Sequence, residues 1–177
     1  MTAIAAMPTG GPGASEQFDQ LYRSSAGDVY AYVASLLRDR AAAEDVTALA
    51  FERVFRRRAL FDIRRGTPRS WLFAIARNAA LDELRRRRRT GALLHDVADE
   101  AASGDDDLDG ELAERRLLVR AGLASLEPRD RELILLKFVG RLSNAELARV
   151  LRCSESNAGT RLHRAIERLR EACGVTR

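Results

Sequence analysis

The chain has 177 residues, enough for one mid-sized domain or two small ones; 46% hydrophobic content supports a core, and 6% aromatic content implies thin, Leu/Ala-rich helix packing. Cys153 and Cys173 form no CxxC pair and have no histidine at ligand spacing, which argues against a structural disulfide or zinc site and fits a reduced, cytoplasmic setting. No run approaches the roughly 18 apolar residues of a membrane span, and the Ala/Gly/Pro-rich start has no basic n-region, so neither membrane insertion nor a signal peptide is expected.

The net charge of +4 is modest, but its distribution is uneven. Residues 1–90 hold 16 Arg against 10 acids, residues 91–114 hold nine acids and no Arg or Lys, and residues 115–177 hold 14 basic residues against seven acids. Two basic blocks around an acidic break suggest two surfaces for a polyanion and a spacer that avoids it.

In chain order, residues 1–14 carry Gly10, Gly11, Pro12 and Gly13 and are expected to form a disordered tail. Ser15 is placed to cap a helix holding Phe18, Leu21 and Tyr22. A second helix is expected from Gly27 to Arg38, capped by Ser25 with Asp28 three residues on, burying Val29, Tyr32, Val33, Leu36 and Leu37. A third is expected from Ala41 to Ala59, with Val46, Ala50, Phe51, Val54 and Phe55 in its apolar rows. Glu44 and Asp45 in its first turn and Arg56, Arg57 and Arg58 at its end suit the helix dipole.

After a loop at 61–66, Thr67 and Pro68 open a helix running to Arg89: a hydroxyl at the N-cap, then a proline whose missing N–H costs nothing there. Leu72, Ile75, Ala76 and Ala79 make its buried stripe, while Asn78, Asp82, Arg85 and Arg89 share another face. A helix packed on one side, polar on the other and ending in five arginines is suited to lie along a polyanion. A solvated helix with a basic tail has the same pattern.

Residues 91–110 are acidic and have linker composition. Helical periodicity returns at Glu111 with Leu112, Leu117, Leu118 and Leu123. Pro128 opens a helix carrying Leu133, Leu136 and Phe138, stopped by Gly140. Ser143 and Glu146 form a capping box before Leu147, Val150 and Leu151, and Arg152-Cys153-Ser154 makes a turn. The next helix places Ala158, Leu162, Ile166 and Leu169 inward and Asn157, Thr160, Arg161, Arg164 and Arg168 outward. A short capped helix, a three-residue turn and a longer helix with a polar, arginine-rich face is the layout of a helix-turn-helix. Asn can read an adenine edge, and Arg can read guanine or hold phosphate. Other αα-hairpins also carry basic outer faces. No stretch alternates apolar and polar residues, so the fold class is all-α: two small helical domains, 15–90 and 111–177, joined by a flexible acidic linker at 91–110.

The segments AEDVTALAFERVFRR at 43–57, RSWLFAIARNAALDELRRRRR at 69–89 and LSNAELARVLRCSESNAGTRLHRAIERLR at 142–170 resemble, in this order, the RNA polymerase sigma factors of the extracytoplasmic-function (ECF) group. The resemblance implies a sigma-2 domain that opens the minus-10 promoter element, with Asn78, Asp82, Arg85, Arg86 and Arg89 facing DNA and the 61–67 loop near a flipped-out base. It implies a sigma-4 domain that reads the minus-35 element in the major groove through Ser156, Asn157, Thr160, Arg161, Arg164 and Arg168. Docking on core RNA polymerase is implied for Asp45, Ala48, Leu49 and Glu52 on the largest subunit's clamp helices and for sigma-4 on the second-largest subunit's flap. An anti-sigma factor that masks these surfaces is implied as well, and no cofactor or metal. By its place in the motif, Trp71 is expected in the core.

Two departures stand out. Ala48 and Leu49 occupy positions where the family commonly has Gln and Glu. Ser156-Asn157-Ala158-Gly159 replaces a Gly-Thr-Val-Lys run, removing a phosphate-binding lysine. Two rival classes are an ordinary DNA-binding regulator using only the C-terminal helix-turn-helix, and an enzyme. The regulator would not need residues 43–89. Against an enzyme, His95 sits in the linker, His163 in the recognition helix, and there is no Gly-rich phosphate loop or carboxylate cluster.

Overall fold

The computed structural model describes residues 12–90 and 110–175. The chain divides into two compact units at Ala101/Ala102. Residues 1–11 of the tail expected at 1–14, and residues 91–109 of the acidic linker expected at 91–110, lie outside the described residues. Among the described residues there are helices and turns but no strand.

The first unit is three helices. α1 (Pro12–Leu37) is one continuous helix where two were expected. Leu21, Ser25, Val29, Tyr32, Val33 and Leu37 form a single buried stripe across the anticipated break. Packing along that stripe offsets the roughly 1 kcal/mol that Gly27 costs inside a helix. The helix already runs at Pro12, inside the expected tail, since proline is tolerated in a first turn. Ser25 and Asp28 are not caps. Both accept hydrogen bonds from Arg69, at 3.0 Å and 2.6 Å.

α2 (Arg40–Arg57) starts one residue before the expected Ala41 because Asp39 caps it, accepting from the Ala42 N–H at 2.9 Å. Its first turn consequently holds no acid, and Glu44 and Asp45 lie further along. It ends at Arg57 and hands over to two short 3-10 turns, Arg58–Leu60 and Ile63–Arg65. α3 (Pro68–Arg89) opens with Pro68 and a reciprocal capping box between Thr67 and Ser70. The core joins Val29, Tyr32 and Val33 of α1, Ala43 and Val54 of α2, and Leu72, Phe73 and Ala76 of α3, all at zero exposure. Phe73, edge-on to Tyr32 at 5.6 Å, holds the central place expected for Ile75, which is only half-buried. Phe55, expected in the apolar rows of α2, is exposed.

The second unit holds α4 (Gly110–Ser125), α5 (Pro128–Phe138), α6 (Asn144–Leu151) and α7 (Glu155–Ala172). α5 buries Leu133, Ile134, Leu135 and Leu136, but Phe138 at its last position is 61% exposed rather than core. Arg131 closes the end of α4 by donating to the carbonyls of Leu123, Ala124 and Leu126. Leu112, Leu117 and Leu118, expected as a packed row, face outward. α4 meets α7 instead at Gly122, where an added Cβ would lie 2.7 Å from the Cys173 sulfur. Gly140 ends the α5 segment for a steric reason: a Cβ there would sit 2.5 Å from the Leu136 carbonyl oxygen.

α6 and α7 follow the expected layout. Ser143 and Glu146 cap α6 reciprocally, Arg152 closes it in the left-handed conformation (φ 55°), and Ser154 caps α7. Ala158, Leu162 and Ala165 are the buried residues of α7, while Ile166 and Leu169 are half-buried. Leu169 packs against Leu126, Ile134 and Ala165.

Candidate nucleic-acid interface

The outward face of α3 carries Asn78, Asp82, Arg85 and Arg89 at helical spacing, all exposed, with Arg86 and Arg88 beside them. Arg85 donates to Asp82 at 2.9 Å, both side chains facing water. Such an exposed pair contributes at most about 1 kcal/mol, so a phosphate can displace it.

The five arginines are not equivalent. Leu72, Ala76, Ala79 and Ala80 define the inward stripe of α3, and continuing it by helical steps reaches Glu83 and then Arg87. The Arg87 side chain is only 17% exposed; it donates to Glu83 at 2.8 Å and to Asp39 at 3.0 Å. Glu83 also accepts from Arg86, and these charge-assisted bonds, Arg86's first and Arg87's next, lower its carboxyl from 4.5 to about 2. Asp39 is lowered chiefly by the Ala42 N–H it caps, with Arg87 adding to the effect. By residue type alone the five arginines are one basic end suited to a polyanion. Extending the apolar stripe by one more turn would have singled out Arg87.

In the loop before α3, Leu60 and Ile63 are exposed, and Trp71 is half-buried with its ring 5.4 Å from that of Phe61. At the junction of α1 with the start of α3 is a cleft of about 170 Å³ bordered by Gln17, Leu21, Ser24 and Pro68. The Gln17 side-chain oxygen is buried there without a hydrogen-bond partner.

On α7, Ser156, Asn157 and Thr160 occupy the first two turns and are exposed, as is Arg164, while Arg161 is half-buried. The turn before them projects these side chains from a capped helix N-terminus, the geometry by which a recognition helix enters a groove. Arg168 lies farther along and donates to Asp130 of α5, whose side chain is largely buried. That bond ties α7 to α5, so Arg168 has a structural partner that Arg164 does not share. Gly159 lies among the outward residues, and only the Asn144 amide nitrogen, at 3.7 Å, would be near an added Cβ.

A third exposed face runs along α2. Asp45, Ala48, Leu49 and Glu52 lie at i, i+3, i+4 and i+7 and are all exposed, and the row continues to Phe55. Glu52 pairs with Arg56 at 2.7 Å. Phe55 packs edge-on to Phe18 at 5.1 Å and lies under Arg58, whose guanidinium is 4.1 Å from the ring centre. Tyr22, half exposed, packs edge-on to Phe51 at 4.8 Å from the α1 side. This aromatic border was not anticipated from the sequence, because Phe18, Tyr22 and Phe55 fit a core pattern equally well.

Among the described residues no group of three or more His, Cys, Asp or Glu is placed to hold a metal ion, and no helix is long and apolar enough to cross a membrane.

Known proteins match the chain along both units. Residues 21–90 match the family model Sigma-70 region 2, and residues 116–169 match Sigma-70, region 4. The chain is 36% identical over 165 residues to the RNA polymerase sigma factor CarQ of Myxococcus xanthus, covering 92% of each protein. It is 31% identical over 170 residues to the ECF RNA polymerase sigma factor SigK of Mycobacterium ulcerans, covering 89% of this chain and 86% of that protein. Among solved structures, the sigma factor RpoE in complex with the anti-sigma factor NepR from Bartonella quintana aligns with a TM-score of 0.72 at 25% identity, covering 92% of this chain and 99% of that one. CnrH in complex with the cytosolic domain of CnrY aligns with a TM-score of 0.63 at 25% identity, covering 92% of this chain and 91% of that one.

Proposed function

The chain belongs to the extracytoplasmic-function group of RNA polymerase sigma factors, and from that premise we propose how its exposed faces divide the work. It is a transcription initiation factor whose partners are core RNA polymerase and promoter DNA. In our reading it has no catalysis of its own and works in the cytoplasm beside the polymerase.

Residues 15–90 act as the minus-10 domain. Asn78 and Asp82 make the base-directed contacts, Arg85, Arg86 and Arg89 hold phosphates, and the 61–67 loop lies next to the unstacked base. Residues 111–177 act as the minus-35 domain, with Ser156, Asn157, Thr160, Arg161 and Arg164 in the major groove and Arg168 steadying the helix behind them. Asp45, Ala48, Leu49 and Glu52 dock on the polymerase clamp helices, with apolar Ala48 and Leu49 making that contact less polar than is usual in the family. One solved relative is bound to an anti-sigma factor, and we extend that mode of control to this chain, the exposed apolar row on α2 being the surface an inhibitor covers.

The observation that carries this division is that the polar face of α3 and the polar face of α7 each lie opposite a packed apolar stripe, one in each sigma-matching unit. Phosphate contacts supply salt-dependent affinity and a few base contacts supply selection. The test is transcription in vitro with core polymerase on a promoter library. The full chain is expected to direct initiation at a defined pair of elements. Asn78→Ala is expected to relax choice at the upstream edge of the melted region. Arg161→Ala is expected to cost roughly 1–3 kcal/mol at one minus-35 base pair, with folding intact. Sequence-specific duplex binding without polymerase-dependent initiation would replace this reading with that of an ordinary helix-turn-helix regulator.

A further inference from the structure

We propose that Arg87 is a positioning residue that locks the promoter-facing helix α3 to the polymerase-facing helix α2. Resting on the function proposed above, the inference concerns how polymerase docking reaches the DNA-bearing face. Three observations carry it. Arg87 lies on the inward stripe of α3, with its side chain only 17% exposed. Its guanidinium joins two carboxylates on different elements, Glu83 one turn back on its own helix and Asp39 at the entrance of α2. Asp39 uses its two oxygens separately, Oδ1 to cap α2 through the Ala42 N–H and Oδ2 to receive Arg87.

The bridge therefore joins the final turns of α3, where Arg85, Arg86 and Arg89 project, to the first turn of the helix that bears Asp45, Ala48, Leu49 and Glu52. A planar guanidinium held by two carboxylates fixes direction as well as distance, which an ammonium on a flexible stem does not. At the opposite end of α3, Arg69 plays a similar part toward α1, bonding Asp28 and Ser25. The helix is thus held at both ends, and the Arg87 end is the one that faces α2.

The substitutions can be kept small. Asp39→Asn retains a capping oxygen, as Asn caps about as well as Asp, but its amide presents a donor where Arg87 needs an acceptor. Arg87→Lys keeps the charge and reaches one carboxylate at a time. Arg87→Gln removes the charge, and Glu83 remains bonded to Arg86.

Three readouts on the full chain test the proposal. Denaturant unfolding of Arg87→Gln, Asp39→Asn and the double variant reads the bridge without polymerase; the double is expected to lose no more than the worse single, and additive losses would overturn the bridge. With saturating core polymerase, open-complex formation on a duplex promoter is expected to fall roughly tenfold in each single variant and no further in the double, with Arg87→Lys in between. Folded variants that open the promoter normally would reduce Arg87 to a stabilising contact. Third, the slope of promoter affinity against salt is expected to match the unsubstituted protein in Arg87→Gln, whereas Arg85→Gln and Arg89→Gln each lower it by about one. A drop of that size for Arg87→Gln would make it a phosphate contact and overturn the proposal. If the unsubstituted chain opened no promoter with polymerase, the sigma assignment would fail on that result alone, and the unfolding cycle would still decide the bridge.

Discussion

Gly159 sits in the second turn of α7 (Glu155–Ala172), the helix we place in the major groove, and within a helix glycine is the costliest residue short of proline. An added Cβ would have open space on all sides except toward the Asn144 amide nitrogen at 3.7 Å, an ordinary contact distance. Asn144 is itself held, accepting from the Lys137 ammonium at 3.2 Å, so it is not displaced. Gly159→Ala should therefore gain the helix-propensity difference without a steric penalty, about 0.5–1 kcal/mol. For a unit of this size each kcal/mol moves the melting point by about 4–8 °C, so the C-terminal unit should melt about 2–8 °C higher. Calorimetry of the full chain reads this directly, with the transition of the N-terminal unit as an internal control. An unchanged or lowered transition would refute the reasoning, since it would mean the space beside Gly159 is not there. A raised transition with weakened minus-35 binding would show that the bare backbone at 159 is kept for the approach of DNA.

Four further outcomes are expected. Gly140→Ala forces a Cβ against the Leu136 carbonyl at 2.5 Å, a backbone atom that cannot swing aside, and should cost about 1–3 kcal/mol in the C-terminal unit by denaturant titration. Arg152→Gly relieves a left-handed residue at the helix-turn-helix corner (φ 55°) and should stabilise the unit by about 1 kcal/mol on the same titration. Arg168→Ala strands the largely buried Asp130 carboxylate; the melting temperature should fall, while the salt slope of promoter binding changes less than for Arg164→Ala. Glu83 is lowered from 4.5 to about 2 on folding, so its contribution is complete above 4.5 and is lost as pH falls through about 2. Glu83→Gln should flatten the acid limb of a stability-against-pH curve over that interval.

What was legible in the sequence was local. The caps at Thr67 and Ser143 and the corner at Arg152–Ser154 depend on residues three or four apart, and each formed where the letters placed it. Features that depend on distant partners were not legible. Ser25 and Asp28 had the spacing of a cap, but their partner is Arg69, more than forty positions away. Gly27 looked like a break because nothing nearby shows that Leu21, Ser25 and Val29 all face one core. Phe138 sits at the end of α5, where the stripe turns out to water. Of the site residues, the outward positions Asn78, Asp82, Arg85 and Arg89 on α3 and Asn157, Thr160 and Arg164 on α7 follow from helical spacing, whereas Asp45, Ala48, Leu49 and Glu52 on α2 were placed by the resemblance to the family. The different roles of Arg85 and Arg87, two residues of one kind two positions apart, emerge only when the inward stripe is followed to the end of the helix.

The apolar row on α2 has a consequence for how much of this protein a cell can keep. Leu49 and Phe55 on α2, with Leu60 and Ile63 in the turns that follow it, face water in the chain by itself, and exposed apolar side chains invite self-association and capture by quality-control proteases. Copies made beyond the supply of partners should therefore be the first lost. Yield from overproduction should rise when a chain that covers this row is made alongside.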